Sequence, residues 1–575
     1  MRRSTASLLL LAGILLSGTP LQVRAQAGSE EAAAGSEAAQ GGALIDQTTL
    51  PTAIELKGPR PQADPSVLAP AATTLPEDLA PLQAAPSLAL PDKPAQVRIR
   101  ELRPLTLQQV ERLMEVNNPG LKAARSQVDQ AKSQLRAAIS AWYPTVNLSA
   151  NGLPSYLAGE GQDFGSNRFV NPTTGLPEND AQVTNSSIWS ASFAASIDWN
   201  LIDPARVPQI AAARDNFEKS RDTYLIALRD LRLQASTRYF ELQRADDQVR
   251  IGQQSVRASL VSLRDARARF QAGVATKLEV LEAETQLARD QQVLTNGLGR
   301  QSKARRSLSE LLSLPQDVSP TAAMPAQVLG LWQPSLQESI VAAYAFREEL
   351  DRFILDISIN NSNANAALAA VQPVVTIFND FTTRRYSGET NAVPPVETDF
   401  YGWSLDNAVG LQATWTLFDG GRAKAEYRRN KQRSQESEFN FASERDKIRQ
   451  EVEDSYYDLR TANQDIYTTS REVLSSRESL RLARLRFQAG VTTQREVVDT
   501  QRDLTQAQVR YADAILTYNT SVARLRRRTG LDQVEACPQI QLPDQRPAQD
   551  DSSTIPIEPS PNRPACSASQ VASQG

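Results

Sequence analysis

The chain has 575 residues, 41% hydrophobic and 22% charged, with a formal net charge of −4, two cysteines and no histidine. The acidity argues against nucleic acid as a partner. The missing histidine and unclustered cysteines remove the usual ligands of zinc, haem and triad chemistry, so an enzyme is the least favoured class and no cofactor is expected.

Residues 1–27 read as a secretory signal peptide, with Arg2 and Arg3 ahead of the apolar run Leu8 to Leu16 and small residues at Ala25 and Ala27. Cleavage would remove Arg2, Arg3 and Arg24 with no acidic residue, taking the charge from −4 to −7. No second apolar run reaches the ~20 residues of a spanning helix, so an exported chain of this kind is either soluble or crosses an outer membrane as strands. Residues 28–100 carry ten prolines between Pro51 and Pro94 and are expected to be disordered or extended.

A first structural repeat covers 101–315. It opens with a helix over about 106 to 141 that ends before Pro144. The pattern then changes to a period of two. Val146, Leu148 and Ala150 predict a short strand; Trp189, Ala191, Phe193, Ala195, Ile197, Trp199 and Leu201 predict a second, with 154 to 186 as a loop between them. Asp203-Pro204 supplies an N-cap and a first helical residue. A helix of ~65 residues follows, about 100 Å long at ~1.5 Å per residue. Ten of fourteen positions spaced alternately by three and four from Leu225 to Phe270 are apolar, which is a coiled-coil seam. Gly273 ends this helix, and Thr276 with Glu279 forms a T-x-x-E capping box that starts a return helix to about Leu312. Residues 316–334, rich in proline, are read as an irregular connector at mid-height.

A second repeat covers 335–531. Arg269-Phe270-Gln271-Ala272-Gly273-Val274 recurs as Arg486-Phe487-Gln488-Ala489-Gly490-Val491, 217 positions later, and Thr106-Leu107-Gln108 has its counterpart in Ser335-Leu336-Gln337 at 229. Units of this size are a duplicated domain, since solenoid repeats run to roughly 20–50 residues. The second half is expected to repeat helix (335 to 370), strands (around 375–381 and 409–417, with 384 to 405 as a loop), long helix, a Gly490 turn, a Thr493/Glu496 capping box and a return helix to Thr529. Its seam, 442 to 487, is apolar at eight of fourteen positions. In each half the opening and return helices are about half the length of the long one. Stacked end to end they would match it, giving a cylinder wall of long helices alternating with stacked pairs. Residues 532–575 are expected to be a flexible tail in which Cys537 and Cys566 are free to pair in an exported protein.

Membrane barrels begin at about eight strands, so two hairpins per chain imply either that several chains pool strands or that the hairpins are soluble sheet. Trp142, Trp199 and Trp415 all fall where helix meets strand, the place of interfacial aromatics or of plugs in the join.

Leu105-Thr106-Leu107, Asn117-Asn118-Pro119 and Tyr143-Pro144, the run Trp415-Thr416-Leu417-Phe418-Asp419-Gly420-Gly421-Arg422 and the two glycine turns, in this order and spacing, resemble the TolC-type outer membrane efflux protein family over about 104 to 531. The first half departs from the pattern, with Ile202-Asp203-Pro204-Ala205 where the second has Phe418-Asp419-Gly420-Gly421.

The resemblance implies a mainly α fold with a small membrane β part. A duplicated long-helix α-barrel would continue into a β-barrel shared between the chains of a homotrimer, four strands from each. It implies an outer membrane channel with a large periplasmic portion, working in efflux or type I secretion with a periplasmic adaptor, an inner membrane transporter and outer membrane lipid. The turns would form the periplasmic tip, with Arg269, Gly273, Arg486 and Gly490 as adaptor-docking candidates. The glycines equally serve the turn itself, and the arginines equally read as solvated charges. Glu279, Glu282, Glu496 and Asp499, six and nine residues after each glycine, match acidic positions at which the family's tip narrows. Capping-box acceptors and ordinary solvated charges are the other readings of these four. The competing class is a trimeric coiled-coil envelope or surface structural protein, which would need neither the duplicated strand pair nor the matched turns.

Overall fold

The computed structural model describes residues 71–535, apart from 87, 164–167, 171–172, 176, 180–181, 393–395 and 533, together with 565–566 and 568–569. The expected signal peptide, residues 28–70 and most of the tail lie outside the described residues.

In chain order the elements are β1 (Glu101–Leu105), α1 (Leu107–Asn117), α2 (Pro119–Ile139), β2 (Thr145–Asp163), β3 (Arg168–Val170), β4 (Pro177–Asn179), β5 (Gln182–Ile202), α3 (Arg206–Gln271) and α4 (Lys277–Leu311). The connector carries β6 (Val318–Ala322) and β7 (Leu331–Trp332), and the second repeat follows as α5 (Leu336–Phe346), α6 (Glu348–Ala369), β8 (Val374–Ala392), β9 (Val396–Thr414), α7 (Arg422–Gln488) and α8 (Gln494–Thr529), with β10 (Val534–Glu535) after it. None of the described helices is long and apolar enough to cross a membrane.

Each expected opening helix is two helices. Asn118 leaves the helical region at ψ 121°, its side chain accepts from the Leu121 amide at 3.1 Å, and Pro119 takes the first position of α2. The equivalent break in the second repeat falls at Arg347, 229 positions on, with ψ 120°. The stacking expected of the half-length helices is present: the Asn118 amide reaches the Leu311 carbonyl at the end of α4, at 2.9 Å. Across the layer, α3 packs against α2 and α4 on one side and α6 and α8 on the other, and α7 packs against α6 and α8. Four columns result: a stacked pair, a long helix, a stacked pair, a long helix.

In α7 the apolar seam positions Val452, Leu459, Ile466, Val473 and Leu480 are buried as read, while Ile448, Ser455, Ala462 and Ala483 are buried one residue out of register and the seam positions Arg445 and Arg449 are exposed. The seam of α3 is displaced in the same way, although Val249 and Leu263 stay buried in register. Below its middle, Ala245, Gly252, Ser255, Ser259 and Ala266 are buried one residue out of the predicted register, while Leu260 and Phe270 are exposed. Small residues take the innermost places because α3 and α4 approach closely there. A Cβ on Gly252 would lie 3.0 Å from the Cα of Leu294.

The strands exceed expectation. The four-stranded antiparallel sheet has the order β2-β5-β8-β9, each strand 19 or 21 residues long. Parts of the predicted loops 154 to 186 and 384 to 405 are strand. Directly paired residues share a face, so Val146, Ile197, Asn379 and Val409 align across the sheet, as do Leu148, Ala195, Phe381 and Asn407. The opposite face carries Asn147, Ser196, Asp380 and Ala408. One face is thus mostly apolar and the other mostly polar. On the polar face, Phe378 lies against Gly410 and Tyr386 against Gly402, where a Cβ would meet those rings at 2.9 and 2.6 Å.

Half-way along the helices, each repeat closes an apolar core. Tyr239, Phe240, Leu242 and Leu308 centre the first, and Leu459, Ile466, Tyr518 and Leu525 the second. The connector is more regular than its prolines suggest: β6 pairs in parallel with β1, and β7 antiparallel with β10. Nor is all of the proline-rich stretch loose. Leu79 and Leu82 are buried in the first core, and Asn117 fixes the segment by donating to the Leu82 carbonyl at 2.8 Å. The tail likewise returns. Ala565, Cys566 and Ala568 are buried in the second core, the Ala565 amide donates to Asn463 at 2.7 Å, and Cys566 is disulfide-bonded, Cys537 being the one other cysteine of the chain.

Beside these cores a buried ionic network ties both repeats together. Arg347 pairs with Glu349 at 3.0 Å and Glu451 at 2.7 Å; Arg527 pairs with Glu349 at 2.7 Å and Asp230 at 2.6 Å. Helix ends favour the arrangement, with carboxylates in the first turn of α6 and arginines in the last turn of α8.

Candidate functional site

The features that can meet a partner or a passing solute lie at the two ends of the helical columns. At one end are the paired hairpins. In each, a glycine with positive φ (77° at Gly273, 75° at Gly490) lets the chain reverse, and the next amide, Val274 or Val491, donates back to the carbonyl of Arg269 or Arg486 at 3.0 Å. No heavy atom lies within 4 Å of a Cβ placed on either glycine, so the requirement is conformational. Gly490→Ala should therefore weaken the hairpin by about 1–2 kcal/mol, the cost of a left-handed residue, without a clash. Hydrogen exchange across 484–500 would then speed up on the order of tenfold; wild-type exchange would show that the turn does not need glycine.

The identical turns carry different side-chain partners. Thr276 accepts from the Glu279 amide and Glu279 reaches back to the Thr276 amide at 3.3 Å, completing the expected capping box. The second expected box is absent: the Thr493 side chain caps nothing, and Glu496 instead pairs with Arg486 at 2.8 Å and accepts from the Thr492 hydroxyl. Asp499 lies between Arg502, at 3.5 Å, and Arg495, at 3.9 Å. Glu282 is half-buried and makes no ion pair among the described residues.

Arg269 crosses to the other hairpin, its guanidinium 4.3 Å from the centre of the Phe487 ring. Gln494 donates to Ser262 alongside. Between the hairpins is a cavity of about 680 Å³ lined by Arg257, Asp265, Arg269, Arg484, Phe487 and Gln494 among others. Of these only Arg269 was singled out from the sequence. Phe487 was visible within the repeated hexapeptide, but its duplicate Phe270 is exposed, so the repeat alone does not distinguish their roles.

At the other end, the helices join the sheet through the three tryptophans. The Trp199 indole donates to the Trp142 carbonyl, and Trp415 to the Val371 carbonyl, both at 3.1 Å; each thus ties the end of an opening helix to the strand that returns beside it. Arg206 stacks on the Trp142 ring at 4.4 Å. All three rings stay 38–60% exposed. Asp419 accepts from the Gly421 and Ala423 amides at 2.8 and 2.7 Å to start α7, whereas Asp203 reaches only the Ala205 amide at 3.0 Å.

The sequence profile described as "Outer membrane efflux protein" matches residues 112–313 and 342–531. No curated protein sequence matches. Among solved structures, a membrane protein from Pseudomonas aeruginosa is 19% identical with a TM-score of 0.57, covering 80% of this chain and 100% of its own. CusC is 18% identical, with a TM-score of 0.56 and coverage of 80% and 99%. The MtrE outer membrane channel of Neisseria gonorrhoeae, solved in its open state, is 18% identical, with a TM-score of 0.55 and coverage of 75% and 91%. At such identities the likeness is one of fold, and it extends over both repeats.

Proposed function

The chain belongs to the outer membrane efflux protein family, an outer membrane protein with a large periplasmic portion, and from that premise we propose that three copies close into a conduit carrying solutes from the periplasmic side to the exterior. One observation carries the reading: both layers end in open edges. Among the described residues, nothing pairs with the outer sides of β2 and β9. The helical layer stops at α2 and α4 on one side and at α7 on the other, where Leu278, Leu281 and Leu298 of α4 and Phe439, Tyr457 and Leu485 of α7 remain exposed. Long unpaired strands and unpartnered apolar seams are what another copy would cover.

Two copies would give eight strands, whose interior is filled by side chains. Three give twelve, wide enough for a passage. In such a ring the apolar sheet face meets lipid and the polar face lines the lumen.

In this assembly the hairpins form the periplasmic end. Arg269, Gly273, Arg486 and Gly490 present the surface on which an adaptor docks, and Glu279, Glu282, Glu496 and Asp499 contribute carboxylates around the aperture. An energised inner membrane transporter delivers the cargo, in efflux or type I secretion, and the chain performs no chemistry on it. Trp142, Trp199 and Trp415 lie at the periplasmic membrane surface. Extraction from outer membranes in mild detergent followed by native mass measurement should give three chains. A monomer in the soluble fraction would overturn the proposal.

A further inference from the structure

Two aromatic belts cross the apolar face of the sheet. The first is at the helix junction, where Trp199 stands on β5. The second lies beyond: Tyr156 is directly opposite Trp189, ring centres 4.7 Å apart, and Tyr401 and Trp403 are at the same level on β9. Trp189 and Trp199 are ten residues apart, about 33 Å along a strand at ~3.3 Å per residue. With a tilt of about 35–45°, this becomes a height of about 25 Å, that of the apolar band of a membrane barrel. On the conduit reading, on which this inference rests, the second belt lies among the headgroups of the outer leaflet.

The four strands contain two basic residues, Arg384 and Arg385. Being adjacent, they face opposite sides. Arg384 shares the polar face with Tyr386, 5.7 Å from its ring. Arg385 is on the apolar face, paired across to Ala191 and Trp403, with its guanidinium 5.1 Å from the Tyr401 ring. It is exposed and makes no ion pair among the described residues. The described acidic pair nearest on that face and strand, Glu389 opposite Asp399, stands four residues further from the helices. A cation held in an aromatic belt without a protein anion is costly unless the membrane provides one. The planar fork of arginine fits a phosphate.

We propose that Arg385, flanked by Tyr401 and Trp403, binds a phosphate of the phosphorylated glycolipid of the outer leaflet, one site per chain. The commitment to that lipid follows from the level of the belt, at the end of the sheet away from the helices.

Native mass spectrometry of the delipidated full-length protein in detergent tests this by titration with bisphosphorylated lipid A, dephosphorylated lipid A and phosphatidylglycerol. The expected result is up to three bisphosphorylated lipids per trimer, with binding about tenfold or more weaker in Arg385→Gln and unchanged in Arg384→Gln. Arg385→Lys, which keeps the charge but loses the fork, should be intermediate. Equal binding by wild type and Arg385→Gln would overturn the site, as would equal binding of dephosphorylated lipid A. Equal binding of phosphatidylglycerol would overturn the glycolipid assignment. The same spectra report assembly: monomers would overturn the conduit reading, whereas trimers indifferent to the substitution overturn the lipid site alone.

Discussion

Arg347→Met should destabilise the protein by about 3 kcal/mol, at the lower end of the cost of removing one partner from a buried ion pair. The Arg347 side chain is 3% exposed and holds two carboxylates, Glu349 and Glu451, from different helices. Its loss leaves the buried Glu349 and the partly buried Glu451 with Arg527 and Arg528 as their ion-pair partners among the described residues, which is why the full range is not expected. Acid should expose the same defect. Burial alone would raise the Glu349 carboxyl, but hydrogen bonds and charge from Arg347 and Arg527 outweigh it and bring it down from 4.5 to about 2. A carboxyl lowered on folding contributes stability above its unfolded value, near 4.5, and loses it as the pH falls towards 2. Without Arg347 the depression shrinks, so acid unfolding should begin at higher pH. Urea unfolding at neutral pH and near-UV circular dichroism during acid titration would measure both effects, with the surface change Arg481→Ala as a neutral control. Wild-type midpoints in both would mean that the network does not tie the repeats together.

The second large effect is expected at the aperture. Replacing Glu282 and Asp499 together by alanine should raise single-channel conductance in planar bilayers or weaken block by a trivalent cation on the order of tenfold, because a ring of carboxylates concentrates and holds cations. The two contributions should be unequal. Asp499 is already flanked by Arg495 and Arg502, whereas Glu282 makes no ion pair among the described residues. Glu282→Ala alone should therefore give most of the change. If conductance and block are those of wild type in the double variant, these residues are not part of the gate.

Which of these features the sequence discloses depends on whether the physics is local. Helix ends were legible because glycine at positive φ and a Thr-x-x-Glu cap act within one turn: Gly273 and the Thr276 box lie where read. The second cap failed because Arg486, ten residues upstream of Glu496, offered a stronger partner. Asn118-Pro119 announces the break between α1 and α2, yet the break at Arg347 carries neither proline nor a capping side chain. Strand length was underestimated because alternation of apolar and polar residues marks only the part with an apolar face. Beyond the Leu157–Ile188 pair the strands remain paired although mostly polar residues and glycines occupy both sides. The lower seam of α3 was misplaced by seeking large apolar residues where close approach selects Gly252, Ser255 and Ser259. The ionic network joins Asp230, Arg347, Glu451 and Arg527, too far apart in sequence for any spacing rule to connect.

Duplication produced two like cores, but it did not duplicate their lids. Leu79 and Leu82 cover the first from upstream of both repeats, and Ala565, Cys566 and Ala568 cover the second from downstream of both. Neither half is therefore a self-sufficient module, and excising one would strand an uncovered waist. The first core thus takes its lid from residues ahead of it in the chain, while the second takes its own from residues well past the end of α8 at Thr529. Each waist is thereby sealed by a strap that belongs to neither repeat.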